Sequence, residues 1–272
     1  MKTLFEILPK NMEADKCCLT LEISDKIFSY TIKDGAENSF IAVAMYQPET
    51  SGDSTVDTIK EFFNRNDFLK NSFAKTGIIY SGNECVMIPF NLYSSIENNH
   101  VLNLVHGDIR NNHAIQTDLV AEAGIYNVYR TPKDAVDFFS ETFPRAVKTH
   151  LYSALLKKQQ PDNSMLLIFY PDHFILKLKT GNKIQLINTY YYAAAEDVSY
   201  ILLNVCEQHN AQNVELFLSG LIEKDSALYK NVYKYFETIH FETLPGNYIY
   251  SEAIQEQPAH YFSHLFATDL CE

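Results

Sequence analysis

Phe28 and Phe174 stand at equivalent places in a repeat that constrains this chain more than any other feature. At an offset of 146 residues, the stretch Cys18 to Gly35 overlays Ser164 to Gly181 without a gap. Leu21 meets Leu167, Ile32 meets Leu178, Lys33 meets Lys179 and Gly35 meets Gly181. The identities are few, so the order of elements carries more weight than the letters. Repeats of this kind signal duplicated supersecondary units.

Hydropathy gives the order. Leu19, Leu21 and Ile23 alternate on a strand over Cys18–Ser24, and Phe28, Tyr30 and Ile32 on a second over Ile27–Lys33. Asp34-Gly35 is a hairpin signal, and Phe40–Tyr46 is apolar enough for a strand covered on both faces. Pro48 and Gly52 break the chain. Ser54 with Asp57 forms a capping-box pattern ahead of a helical stripe of Val56, Ile59 and Phe63. Strands follow at Gly77–Tyr80 and Glu84–Phe90. Between Asn91 and Arg130 the pattern predicts a short helix and two strands, the last at Ile125–Tyr129. Thr131-Pro132 is read as a helix start, with Thr as cap and Pro in the first turn. Ala146–Leu156 fits strand or helix.

Gln159-Gln160-Pro161-Asp162-Asn163 reads as a linker, after which the opening pattern returns. Strands are predicted at Met165–Tyr170, Phe174–Lys179 and Ile184–Tyr191. A helix follows with Val198, Ile201, Leu202 and Val205, then a strand at Val214–Leu218. A second helix is read through Leu228, Val232, Tyr235 and Ile239, then a strand at His240–Leu244. Leu21, Ile23, Val43, Leu167, Ile187, Ile201, Leu202 and Phe217 are expected in the core. The division is residues 1–160, with an insertion around 83–117, and residues 161–272.

A three-stranded meander followed by alternating helices and strands is an α/β unit with a mixed sheet, of the ribonuclease-H-like type. Two such units in one chain resemble the actin-like ATPase architecture. The chain is also similar to an uncharacterised bacterial family assigned that fold, through Val86-Met87-Ile88-Pro89-Phe90-Asn91-Leu92-Tyr93, Tyr126-Asn127-Val128-Tyr129, His260-Tyr261-Phe262-Ser263-His264-Leu265-Phe266 and Cys271-Glu272. The family brings no activity with it.

The actin-like resemblance implies a nucleotide held between lobes, each lobe offering a tight turn with an Asp and a Gly after its first strand. Glycine there lets backbone N–H groups approach phosphates, and Asp organises metal and water. The corresponding turns are Ile23-Ser24-Asp25-Lys26 and Tyr170-Pro171-Asp172-His173. Neither contains Gly, and Pro171 removes a donor. Asp25 and Asp172 are therefore metal-organising carboxylates of a divergent site or ordinary turn aspartates. The resemblance also implies a glycine-rich adenosine contact, to which Ser219 and Gly220 correspond; Gly220 otherwise simply ends a strand.

Other chemistry finds little support. A ribonuclease-H nuclease needs several converging carboxylates, and Glu22 stands alone on the first strand. His100, His106 and His113, with Asp108, are spaced too widely for a helical metal pair and are read as solvated loop residues. Cys17 and Cys18 have no evident His partner. No catalytic residue and no metal ligand is assigned. Tyr190, Tyr191 and Tyr192 at a strand end are either a contact surface or, as expected, at least one core ring with another covering a neighbouring helix.

Charge narrows the partners. The net charge is −12, and Lys157-Lys158 is the nearest thing to a basic run, so nucleic acid and anionic membrane surfaces are disfavoured. The opening residues lack a signal-peptide core, and no apolar run nears the roughly 20 residues of a membrane span. Five cysteines, none in a C-x-x-C pair, fit reduced thiols in the cytoplasm. The expectation is a binding or scaffold module without a cofactor, working with another protein or by self-association. The alternative is an ATPase or small-molecule kinase using ATP with magnesium.

Overall fold

The computed structural model describes residues 1–9, 12–48, 55–108 and 112–270. Gly52, Ser54 of the expected capping box, and Cys271-Glu272 lie outside them. The chain forms two compact units. The first is Met1–Lys157 together with Asn247–Gln255 and the stretch from Thr268; the second is Lys158–Gly246 with Glu256–Ala267.

The first unit is built on strands β1 (Lys2–Ile7), β2 (Cys17–Ile23), β3 (Phe28–Asp34), β4 (Ser39–Gln47), β5 (Lys75–Tyr80) and, beyond an inserted segment, β9 (Val147–His150). Their order is β1-β4-β3-β2-β5-β9, with Ile249–Tyr250 joining β4. The β2–β5 and β5–β9 pairs are parallel and the meander is antiparallel. Helix α1 (Thr55–Arg65) sets Ile59 and Phe63 into the cluster of Leu19, Leu21, Phe28 and Tyr30, as its stripe predicts.

The insertion forms its own sheet, β6 (Cys85–Pro89), β7 (His113–Val120) and β8 (Ile125–Pro132), in the order β6-β8-β7, with α2 (Asn98–His106) beside it. His100 and His106 therefore sit on a helix, not in a loop, and His113 opens a strand. Thr131 and Pro132 belong to β8, and α3 (Lys133–Thr142) starts after them. Thr131 pairs with Ala114 across the ladder, and a residue before proline prefers extended backbone, so strand wins over cap. The ambiguous Ala146–Leu156 stretch is both things in turn, β9 and then α4 (Leu151–Lys157).

In the second unit β10 (Ser164–Phe169), β11 (His173–Thr180), β12 (Lys183–Tyr191), β13 (Glu215–Gly220) and β14 (Ile239–Phe241) lie in the order β12-β11-β10-β13-β14. This repeats β4-β3-β2-β5-β9, with the same parallel and antiparallel pairs. Register repeats too: Cys18 faces Lys33 as Ser164 faces Lys179. A β-bulge falls between Ile32 and Lys33 in one unit and between Leu178 and Lys179 in the other.

Helix α5 (Ala195–Gln208) buries Val198, Leu202 and Val205. Helix α6 (Ala227–Val232) is shorter than predicted. Tyr235 is exposed beyond its end, and Ile239 pairs with Leu216 in β14. The apolar spacing there comes from two elements. Leu21, Ile23, Val43, Leu167, Ile187 and Leu202 are buried as expected. Ile201 and Phe217 are only partly so. Leu216 and Leu218 take the core face of β13, so alternation turns Phe217 outward to stack on His240 at 4.9 Å.

The expected division differs at its end. Ile249–Tyr250 pairs with β4, and Asp269 binds the first unit: Thr20 Oγ1 donates to its Oδ1 at 3.1 Å and Lys33 Nζ to its Oδ2. Gly77 lacks a Cβ that would meet the Leu270 side chain at 2.6 Å.

Candidate functional site

Each unit has a four-residue turn after its first meander strand. In the first, Ser24 N–H donates to the Ile27 carbonyl at 2.8 Å. The Ser24 hydroxyl oxygen accepts from the N–H groups of Lys26 and Ile27, at 3.1 and 2.9 Å. This is a serine turn, and it occupies two amides that a phosphate cradle would leave pointing at a ligand. Asp25 projects from it, exposed.

In the second turn Tyr170 N–H donates to the His173 carbonyl at 2.9 Å, the counterpart bond at the repeat's offset. The Tyr170 ring stacks on His173, 4.7 Å between centroids and 7° between planes, and His173 Nδ1 lies 2.7 Å from Asp172 Oδ1. By register Asp25 corresponds to Pro171, and Asp172 to Lys26, so the two carboxylates are not counterparts. Tyr192 closes over this turn, its hydroxyl donating to the Tyr170 carbonyl at 2.8 Å. Tyr190 and Tyr192 pack against the core, whereas Tyr191 is exposed.

Ser219 and Gly220 end β13, both buried. Ser219 Oγ is 3.0 Å from His264 Nδ1 and 2.8 Å from Ser263 Oγ, and donates to the His260 carbonyl at 3.0 Å. It fastens the helix Ser263–Ala267 to the sheet. Burial pushes His264 down to about 3, so its imidazole is neutral. Gly220 has φ +83°, and a Cβ there would lie 2.2 Å from the Phe169 carbonyl oxygen. Packing against β10 alone requires this glycine.

The first unit also holds a cavity of about 280 Å³ at the carboxyl ends of β2 and β5. Crevices outside strand carboxyl ends are where open α/β sheets place ligands. Ser24 and Asp25 line it together with Glu84, Arg130, Thr131 and Asp134. Arg130 is buried; its Nη1 donates to Glu84 Oε2 and to the Gly107 carbonyl, each at 3.0 Å, and its Nη2 donates to Asn103. Behind the cavity wall, His150 Nε2 donates to the Gly82 carbonyl at 2.8 Å while its Nδ1 accepts from Tyr152 N–H at 3.1 Å, the neutral tautomer. Burial pushes His150 down to about 4 and the Tyr80 phenol up to about 12.

His106 is 3.0 Å from the Cys85 carbonyl, and His100 is 2.8 Å from Glu97 on the exposed side of α2. Among the described residues no three His, Cys, Asp or Glu side chains are grouped to hold a metal. Nor is any helix there long and apolar enough to cross a membrane.

Residues 9–239 match a family described as "Protein of unknown function (DUF3822)". The chain belongs to this family. No curated protein matches this DUF3822 chain. Among solved structures it is similar to a Bacteroides thetaiotaomicron protein with an actin-like ATPase fold and unknown function. That likeness has a TM-score of 0.76 at 19% identity, over 95% of this chain and 97% of the other. It is also similar to a structure of the PilM-PilN type IV pilus biogenesis complex, with TM-score 0.57 at 11% identity, covering 92% and 97%. The fold of the DUF3822 chain is therefore the actin-like ATPase fold, two mixed-sheet units of common wiring.

Arg130, Thr131 and Asp134 were not singled out from the sequence as site residues. They come from the insertion and the start of α3, over a hundred positions beyond Ser24. The one available signal was an arginine closing the otherwise uncharged strand Ile125–Tyr129, a position where a charge must find partners to be buried.

Proposed function

We propose that this DUF3822 protein is a binding module on an actin-like fold that does not turn over ATP and acts on a protein partner. The observation that carries the reading is the Ser24 turn. Its hydroxyl takes the Lys26 and Ile27 amides, so the backbone donors that would meet a phosphate are already bonded. On the other turn Pro171 has no N–H to offer. An array of free amides is what positions and neutralises a transferring phosphoryl group; without it turnover suffers more than affinity. Ser219 and Gly220 have packing roles that need no ligand. The similar PilM structure was solved in complex with PilN, which supports a protein as the partner class.

Calorimetry with magnesium and ATP, paired with phosphate release over hours, tests the catalytic half. The expected result is no saturable binding below about 1 mM and no release above buffer. Micromolar affinity with turnover that disappears in Asp25→Ala or Asp172→Ala would instead establish an ATP-dependent enzyme. Crosslinking in cells tests the other half: a chain that crosslinks to no protein, itself included, overturns the binding-module reading.

A further inference from the structure

The insertion hides little of its apolar surface. Its core cluster has three buried members, Ile88, Leu102 and Val128. Yet seven of the fifteen large apolar side chains exposed among the described residues lie between Phe90 and Leu119. An excess of that kind marks an interaction surface.

Helix α2 lies over β6 and β8, with Leu102 in one cluster with Ile88 and Val128. Thr117 Oγ1 accepts from Asn98 Nδ2 at 3.1 Å, so Thr117 faces the α2 side of the sheet, and alternation puts Ile115 and Leu119 there with it. Asp118, of the other parity, accepts on the opposite face from the Thr149 hydroxyl and His150 N–H, at 2.8 and 2.7 Å. Ile115 and Leu119 are exposed. Leu119 stands opposite Tyr126, whose ring is 3.8 Å from that of Tyr93 and 5.4 Å from that of Phe90. On α2, Val101 and Val105 continue the flank that Asn98 begins, three and seven residues on, and Val105 is 58% exposed. An apolar trough results, walled by that flank, floored by β7 and ending at the three rings.

Its width selects the occupant. Strands lie about 4.8 Å apart and a helix is about 10 Å across, so α2 covers two strands of three and leaves the edge strand β7 bare. One more helix beside α2 completes the layer, whereas a strand added at the β7 edge leaves Ile115, Leu119 and Val105 in water. Charge selects further. Glu97 just before α2, Asp108 just after it and Glu122 just after β7 are exposed. No lysine or arginine is among the described residues of 83–129, and Arg110 lies outside them. A second copy of this chain meeting the trough through the same face would set these carboxylates against each other.

We propose, resting on the binding-module reading, that this trough takes an amphipathic helix of a partner protein. Its apolar residues at i, i+3 or i+4 and i+7 cover Ile115, Leu119 and Val105, and its Lys or Arg residues lie toward Glu97 and Glu122.

Incorporate a photo-crosslinking residue at Leu119, at Val105 and, as a control on the second unit, at the exposed Tyr200 of the full chain, and sequence the segments captured in its native cells. Leu119 and Val105 should capture the same segment of another protein, with apolar residues at helical spacing and Lys or Arg beside them. The Glu97→Lys, Glu122→Lys double variant changes exposed groups only, and should keep its Tm while that yield falls about fivefold or more. Made as a peptide, the captured segment should bind the purified chain more weakly as salt rises. A segment of this chain itself, a segment without Lys or Arg, salt-independent binding, or no capture at Leu119 and Val105 each overturn the proposal. Capture at Tyr200 alone does so while leaving the binding-module reading in place.

Discussion

Lys33 and Lys179 occupy the same place in the two units, directly after the shared bulge, and lead different lives. Lys33 is buried and paired with Asp269, whose side chain is 1% exposed. Lys179 is half-buried and donates to the Gln160 carbonyl at 2.8 Å. The contrast runs along the whole face. On the helix-covered side, Leu19, Leu21, Phe28 and Ile32 have Met165, Leu167, Phe174 and Leu178 as counterparts, and all lie in core clusters. On the opposite side, Thr20, Glu22 and Ser29 stand where the second unit has Leu166, Ile168 and Ile175. One face transmits the fold, because register shifts there would expose every core side chain at once. The other face is free to diverge, and the first unit uses it to build a polar network around Asp269.

The contrast breaks most sharply at Asp269. Asp269→Ala strands a buried ammonium and should cost about 3–5 kcal/mol, against at most about 1 kcal/mol for Lys179→Ala, whose lost bond is partly solvated. Urea unfolding of both variants checks this; equal losses would mean Lys33 is no more dependent on its partner than Lys179. The pair also has a pH signature. Burial opposes the Lys33 charge, but Asp269 outweighs it, so its pKa is raised. The pair's contribution is present below the ordinary lysine value and lost as pH climbs past it.

Next in size is Gly220→Ala. The residue aligned with Gly220 in the first unit is Tyr80, since Ile23 faces Tyr80 as Phe169 faces Gly220. Only the second unit brings β10 close enough to forbid a Cβ. The substitution should cost roughly 2–4 kcal/mol from left-handed strain and overlap with Phe169. A stable Gly220→Ala protein that had merely lost a ligand would return Gly220 to a binding role.

The smallest effect is shared. Among the described residues, His150 in the first unit and His264 in the second are each 1% exposed; burial pushes His150 down to about 4 and His264 to about 3. The unfolded chain takes up their protons near pH 6.5. Stability present above that value is therefore lost as pH falls toward 4, by on the order of 1–3 kcal/mol per histidine. Amide exchange followed residue by residue from pH 7 to 4.5 should show both units softening together. His150→Gln should flatten the slope in the first unit alone.

How much of this was legible follows from range. The duplication could be read because each hairpin is local and its alternation is written within eighteen residues. The missing phosphate glycines were legible for the same reason, although not that Ser24 fills their place by bonding its own turn. The helix expected through Ile239 failed because apolar spacing cannot tell one long helix from a short helix followed by a strand. Phe217 reads as a core residue from sequence because a wholly apolar run hides which parity faces inward. The cavity was hidden more deeply: its walls come from stretches around residues 23, 56, 82, 113 and 130, brought together only by the fold.

The Lys33–Asp269 bond joins residues 236 positions apart. During synthesis at roughly 5–20 residues per second, its two ends are made about 10–50 s apart. A hairpin such as β2–β3 closes in microseconds, so these two strands can pair almost as they emerge. Their lysine cannot reach its counter-charge until the second unit has been translated in full. On the ribosome, then, the half of the molecule that begins first is the half that finishes last.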